Sequence, residues 1–572
     1  MSAAARTKVH AALAPTDRAR LGLALLLVAI TLVAYVPAMR GGFVWDDDDY
    51  VTENGNLHSV AGLQRIWLEI GAVPQYYPLV HTTFWIEYHL WGLRPLIFHL
   101  TNVLLHALSG LILWELLRRL RIPGAWVAAA LFVLHPIQVE SVAWVTERKN
   151  VLSGTFYLLA ALTYLGGRGR VRYAATFLLF LCALLSKSVT ATLPAAIAVV
   201  LWFEQGRIGR RDAIKLVAMV PFGVAAGALT SWMEKYNVGA VGPEWALAPL
   251  DRLTVAGQAF WFYLGKLAWP HPLVFNYPRW DIAHVSPAMN FFPATALVLI
   301  LALGLARRRI GRGPLTAVLL YAGTLAPALG FVNVYPMRFS FVADHFAYLA
   351  VIGPLVLVAG AVATMLRRSQ NAAPALASGV GALVVAVLGT LTWQRGYAYA
   401  DEETLWRDTL RKNPSSFIAN DNLGGILLVR GELEPAADLF QAALRGKPDF
   451  PEALDNLGIV RHRQGRHEEA VALFREALRW NPEFADAHNN LGIVLAQQGK
   501  SSEALDHFRD AIRIRPSFAK AHQNLGLTLE GLGRTEEAVK EYRESLRWNP
   551  DAPDVAKRLA WILANPPGNR EK

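Results

Sequence analysis

Two patterns of apolar and polar positions divide this chain near residue 395. Before it, long apolar runs alternate with short arginine-rich stretches; after it, charged residues return at helical spacing. About 20 apolar residues in a helix cross the hydrocarbon core of a bilayer, so the long runs predict membrane-spanning helices. They lie at 21–39, 95–117, 125–134, 151–165, 173–185, 189–203, 216–231, 291–306, 315–332, 346–365 and 375–392. Arginine clusters mark cytoplasmic ends of spans. Arg118, Arg119 and Arg121, then Arg168, Arg170 and Arg172, then Arg207, Arg210 and Arg211, then Arg307 to Arg309, and finally Arg367 and Arg368 fall at alternate ends. This parity gives about eleven crossings, with the N-terminus inside and everything beyond Trp393 outside. The run 253–269 is aromatic and ends in Pro270-His271-Pro272, which predicts an interfacial or re-entrant helix. The first run follows Arg18 and Arg20 and continues through Tyr35-Val36-Pro37 without a small-residue cleavage site, so it reads as a retained span.

In the second half, Leu-Gly recurs at Leu423-Gly424, Leu457-Gly458, Leu491-Gly492 and Leu525-Gly526, a period of 34 residues. Ala436, Ala470, Ala504 and Ala538 keep the same register, as do Pro448, Pro482, Pro516 and Pro550. Small residues where two helices must approach and a proline closing each unit make the tetratricopeptide pattern. The fold class expected is all-α, a polytopic membrane helix bundle followed by a tetratricopeptide α-solenoid. The expected domains are a cytoplasmic tail at 1–20, a membrane domain at 21–395, a connector with a degenerate half repeat at 396–416, four repeats at 417–550, and a capping helix and tail at 551–572. Asn422, Asn456, Asn490 and Asn524 recur on the first helix of each repeat. Such helices line the concave face of a solenoid, where carboxamides can bind the backbone of an extended peptide or, alternatively, a neighbouring repeat.

Composition narrows the partners. The chain is 53% hydrophobic and 18% charged, with a net charge of +11. The basic residues cluster between apolar runs, which points to the bilayer and not to nucleic acid. The one cysteine, Cys182, lies inside an apolar run, so disulfides play no part.

The unusual chemistry lies outside the membrane. Four carboxylates, Asp46 to Asp49, follow the first span directly, where ionisable residues are costly and mark function more often than chance. Parity places them on the same side as His135 and Glu140, as Thr146-Glu147-Arg148-Lys149-Asn150, as Lys187, and as Arg338, Asp344 and His345. One polar cavity would account for this gathering. In it Asp46 or Asp47 would act as general base toward a hydroxyl, while Lys187, Arg148, Lys149 and Arg338 would stabilise a phosphate leaving group. That arrangement suits sugar transfer from a lipid phosphate by a single inverting displacement. The histidines and acids lack ligand spacing such as H-x-x-x-H, so no metal and no other cofactor is expected.

An ordered set of motifs then carries a resemblance: Phe43-Val44-Trp45-Asp46-Asp47 with Asn54, Gln75-Tyr76-Tyr77-Pro78-Leu79, Phe98-His99-Leu100-Thr101-Asn102 with His106, and His135-Pro136-Ile137-Gln138-Val139-Glu140-Ser141-Val142. With a polytopic first half and a repeat-bearing second half, the chain resembles the transmembrane and tetratricopeptide-repeat-containing O-mannosyltransferases. The resemblance implies a membrane glycosyltransferase of the C type that uses a polyprenyl-phosphate sugar and a protein hydroxyl. It implies Asp46 and Asp47 as the catalytic pair, with Asp48 and Asp49 extending the family pattern. Tyr77 stands where family members commonly have arginine, leaving His81 as a substitute, and Lys187 is followed by Ser188 in place of glutamate. His135 and Glu140 would support the site.

The function expected is transfer of a mannose-like sugar from a polyprenyl-phosphate donor to a protein hydroxyl on the extracytoplasmic face, with the repeats binding the acceptor. The compositional bias suggests a bacterial inner membrane and periplasmic repeats. The rivals are a non-enzymatic membrane-anchored repeat scaffold and a lipid-linked oligosaccharide ligase. The short late loop at 334–345 counts against the ligase.

Overall fold

The computed structural model describes residues 17–240, 242, 245–282, 291–368 and 374–565. Most of the expected N-terminal tail (1–16) and the end of the expected cap (566–572) lie outside them. All regular structure among the described residues is helical. The chain divides into two compact units, 1–408 and 409–572, and the boundary falls inside helix Glu402–Lys412.

In the first unit the buried scaffold is helix Pro95–Arg119, which packs on Asp17–Ala34, Ala125–Leu134 and Arg148–Leu165. Apolar packing alone cannot hold helices together in lipid, so small and polar side chains supply contacts. Ser109 and Thr155 share a 2.8 Å hydroxyl bond, and His106 meets the Tyr348 hydroxyl at 2.9 Å and the Val133 carbonyl at 3.2 Å. Asn102 donates to the carbonyls of Val142 and Trp144.

The helices Ala125–Leu134 and Pro136–Ala143 meet at a 51° bend, and local sequence explains it. A residue before proline is pushed out of the helical region, and His135 is extended (φ −73°, ψ 125°). Its Nδ1 accepts from Ile137 N at 3.3 Å and so caps the next turn.

Among the described residues, four helices are each long and apolar enough to cross a membrane: Pro95–Arg119, Ser188–Gln205, Arg210–Tyr236 and Phe291–Ile310. The bent pair makes a fifth if it counts as one span. These helices mark a membrane protein, but they fall short of the eleven crossings expected from parity. For two of the expected runs the difference is helix length. The run at 173–185 becomes Arg170–Leu184 of 15 residues, and the run at 315–332 becomes Gly313–Leu325 of 13 residues before a separate turn. The aromatic run at 253–269 forms one 20-residue helix, Pro249–Ala268.

In the second unit four antiparallel helix pairs begin at Phe417, Pro451, Ala485 and Ala519, and Pro553–Ala564 follows them. The 34-residue glycine has a packing cause. A Cβ added at Gly424, Gly458 or Gly492 would lie 2.7, 2.6 or 2.7 Å from Phe440, Phe474 or Phe508 on the second helix of the pair. The recurring asparagines knit consecutive repeats. Asn456 donates to Asp421 at 3.0 Å, Asn490 to Asp455 at 3.0 Å and Asn524 to Asn489 at 2.8 Å, while Asn422 donates to Ile418 O in its own helix. Each amide nitrogen therefore spends at least one N–H inside the solenoid.

Burial pushes the carboxyls of Asp421 and Asp455 up to about 7, against the hydrogen bonds from Asn456 and Asn490. A folded pKa above the unfolded value means that stability present at acid pH is lost as pH rises through about 7. Replacing both by asparagine, the residue already present at Asn489, should stabilise the isolated repeat unit near pH 8 by on the order of 1 kcal/mol per site. Thermal unfolding followed by circular dichroism checks this, and the pH dependence of the midpoint should flatten.

Candidate active site

Phe43 to Thr52 leave the first helix as a tight loop. Trp45 has φ 49°, in the left-handed region that is strained for a bulky residue. Aromatic contacts hold it there: it stacks on Trp144 at 5.5 Å and meets Phe275 and Trp406 edge-on at 5.2 and 5.8 Å. The loop start is also fixed by Gly42 N donating to Ala400 O at 2.8 Å.

The four carboxylates divide by environment. Asp47 is fully buried and tied through both oxygens: its Oδ2 accepts from Val44 N at 2.9 Å, and its Oδ1 accepts from Thr146 N at 2.8 Å and Thr146 Oγ1 at 2.6 Å. Burial raises its pKa to about 6, while the bonds from Thr146 and Val44 pull it down. Asp46 is half-buried, and its Oδ1 is sealed from solvent without a hydrogen-bond partner. Burial holds the Asp46 carboxyl well above the usual range, opposed by the charge of Lys149 and reinforced by Asp47 and Glu147. Asp48 and Asp49 are exposed, and Asp48 accepts from Thr52 Oγ1 at 2.8 Å.

Beside them lies a cluster centred on Glu147. Lys149 Nζ is 3.0 Å from Glu147 Oε1, Lys187 Nζ is 3.2 Å from Oε2, and Asn150 Nδ2 donates to Oε2 at 2.6 Å. Lys187 Nζ also donates to Asn150 Oδ1 at 2.9 Å. Burial pushes the Glu147 carboxyl up, but His345, Lys149 and Lys187 together win and hold it well below the usual range. Burial pulls Lys187 down to about 8, against the attraction of Glu147. The Lys149 ammonium also faces the Tyr50 ring at 5.3 Å.

Of the expected residues, the structure brings Asp46, Asp47 and Lys187 into this region and gives others different work. Arg148 is fully buried and points the opposite way, bonding Glu87 at 2.6 Å, Asn102 at 2.7 Å and Phe98 O at 2.7 Å. That geometry corrects the expectation that it meets a donor phosphate. His135 is the cap of a bent helix, with Nε2 against Leu267 O at 3.1 Å. Glu140 bonds His345 Nδ1 at 2.5 Å, and Tyr399 OH donates to it at 3.4 Å. His81 is buried and stacked on Tyr50 at 5.3 Å, and burial lowers its pKa to about 3, so it is neutral. Tyr77 is buried and starts helix Pro78–Trp91. Arg338 donates to Tyr335 OH at 3.2 Å, on the turn whose Tyr335 N donates to Glu234 at 2.8 Å. Glu234 in turn accepts from Gln75 at 2.5 Å, and Gln75 accepts from Tyr50 OH at 3.0 Å.

Glu147, Asn150, Tyr50 and Glu234 were not singled out by sequence reasoning. A charged pentad at 146–150 was visible, but which of its members faced which way depended on the turn Val145–Glu147.

The comparisons now bear on this geometry. Three tetratricopeptide repeat family models match residues 402–451, 449–517 and 495–562. The protein O-mannosyl-transferase Tmtc1 of Drosophila melanogaster is 26% identical over 519 residues, covering 71% of this chain and 59% of that protein. The chain is similar to protein O-mannosyltransferases. Protein O-mannosyl-transferase TMTC3 of Mus musculus is 32% identical over 154 residues, 25% of this chain and 17% of that protein. The chain thus spans at most about three-fifths of either relative. Among solved structures, the tetratricopeptide protein TTC0263 of Thermus thermophilus is 23% identical over 32% of this chain and 96% of that chain, with a TM-score of 0.26.

The two acids should separate in a stability measurement. Asp47→Asn turns an amide N–H against backbone donors and should destabilise the solubilised protein by about 1–3 kcal/mol. Asp46→Asn removes a buried carboxyl without a partner and should leave the thermal midpoint unchanged or higher. Static light scattering during heating in detergent reads both.

Proposed function

We propose that this chain is a membrane glycosyltransferase that moves a mannose-like sugar from a polyprenyl-phosphate donor to a hydroxyl of a protein acceptor. The observation that carries the reading is the Asp46 carboxyl, with an unpartnered buried oxygen, within electrostatic reach of Lys149, which shares Glu147 with Lys187. The similarity to proteins named O-mannosyltransferases supports the reaction class.

In this mechanism Asp46 takes the acceptor hydroxyl proton as its oxygen bonds to the anomeric carbon. The bond from that carbon to the phosphate oxygen breaks, and the electron pair leaves with the phosphate. Attack opposite the leaving group inverts the anomeric centre. Lys149 and Lys187 bring two ammonium groups together at Glu147, which suits a phosphate that gains charge as it departs. The lysines supply the electrostatic stabilisation, so the reaction calls for no metal. Asp47 positions its neighbour by tying the loop to Thr146. The basic ends of the predicted spans support an extracytoplasmic site, periplasmic in a bacterium, with the tetratricopeptide repeats presenting the acceptor.

Asp46→Asn should lower transfer in membranes by about 10²–10⁴-fold with expression intact. A general base needs its deprotonated form, so wild-type kcat/KM should rise with pH along a limb displaced above the ordinary carboxylate range. Transfer that survives Asp46→Asn would favour a scaffold in place of an enzyme.

A further inference from the structure

The repeats hold a second polar cluster that sugar transfer does not use. At one position of the first helix, a side chain closes the preceding loop by donating to a proline carbonyl. Asn420 donates to Pro414 O at 3.1 Å, His488 Nε2 meets Pro482 O at 3.1 Å, and His522 Nε2 meets Pro516 O at 3.0 Å. Where histidine does this, Nε2 carries a proton, and the partner of Nδ1 decides whether that nitrogen donates or accepts. The Nδ1 of His522 meets a carboxylate, Glu541 Oε2, at 2.7 Å. The Nδ1 of His488 instead meets another ring nitrogen, His507 Nδ1, at 3.0 Å.

Asp510 lies one turn beyond His507 on helix Ser501–Ile514. One ligand atom from each of His488, His507 and Asp510 lies within 4.8 Å of the others. Nitrogen ligands at the usual zinc distance of about 2.0–2.1 Å sit roughly 3.4 Å apart in a tetrahedron, so the histidine pair is already near its bound spacing. A metal-bound histidine characteristically donates its other N–H to a backbone carbonyl, which fixes the tautomer. His488 already makes that bond to Pro482. The nearby cations are engaged: Arg475 pairs with Glu503 at 3.4 Å, and Arg513 is shared between Glu483 and Asp510 at 3.3 Å.

The geometry points to a site for one divalent transition ion of the zinc class, held by His488 Nδ1, His507 Nδ1 and an Asp510 carboxylate oxygen. The fourth position is left for water or for a donor atom of a partner held by the repeats. The ion would pin the two helices of the third repeat together, so occupancy stabilises that repeat.

The test uses the full chain in detergent, with its affinity tag removed and metal stripped by chelator. Cobalt(II) titration should saturate at one equivalent, with the visible bands of four-coordinate cobalt, and zinc(II) should bleach them. His507→Gln keeps a hydrogen-bond partner for His488 and preserves the fold; it and Asp510→Asn should each weaken binding by about a hundredfold. His467→Gln, which alters the separate His462–His467 pair at 3.0 Å, should leave the titration unchanged. Absence of saturable binding overturns the proposal. So does binding that survives His507→Gln or is lost with His467→Gln.

Discussion

Glu147 is the constraint on which the outer cluster depends. Its carboxylate is 1% exposed, forms an ion pair with Lys149 at 3.0 Å and accepts from Lys187 and Asn150, with His345 Nε2 3.9 Å away. A buried charge persists only when it is paired and hydrogen-bonded, so one glutamate obliges separate chain segments to meet. Two ammonium groups gather on it, Lys149 also facing Asp46 and Lys187 also facing Glu140. Both are partly open to solvent, since Lys149 and Lys187 keep 10% and 15% side-chain exposure.

The acid loop is fitted to that centre by a different device. Asp47 is closed to a substrate, because it is fully buried and backbone and hydroxyl donors engage both its oxygens. Its neighbour Asp46 inherits a fixed place and an unused oxygen. Trp45, in a left-handed backbone conformation within an aromatic cluster, turns the chain so that consecutive aspartates face different surroundings. One acid spent on structure leaves the next available for chemistry.

Much of this organisation was legible beforehand, and the illegible part has physical reasons. The 34-residue register gave the repeats because each glycine answers to one ring on the facing helix. Apolar runs identified the helices, but hydropathy cannot tell a helix that spans from a 13-residue helix followed by a turn. Side-chain direction was hidden too. Arg148 and Lys149 are adjacent in sequence, yet one bonds Glu87 and the other Glu147, because successive residues on a helix point about 100° apart. The asparagine ladder was seen with two alternative partners, a peptide or a neighbouring repeat, and three of the four asparagines bond the neighbouring repeat. The His488–His507 pair shows no ligand spacing, because its members are on different helices of one repeat.

The account rests most heavily on the Glu147 lysines as the seat of the donor phosphate. Equilibrium binding of a sugar-free polyprenyl phosphate to the purified chain, measured against pH, tests that directly. Lys187, with its pKa near 8, should lose its proton and its hold on the phosphate as pH rises through that value. Wild-type affinity should therefore fall on the alkaline side, and Lys187→Met should bind at least about tenfold more weakly with that alkaline dependence removed. Equal affinity and equal pH dependence in the two proteins would place the phosphate elsewhere and contradict the account.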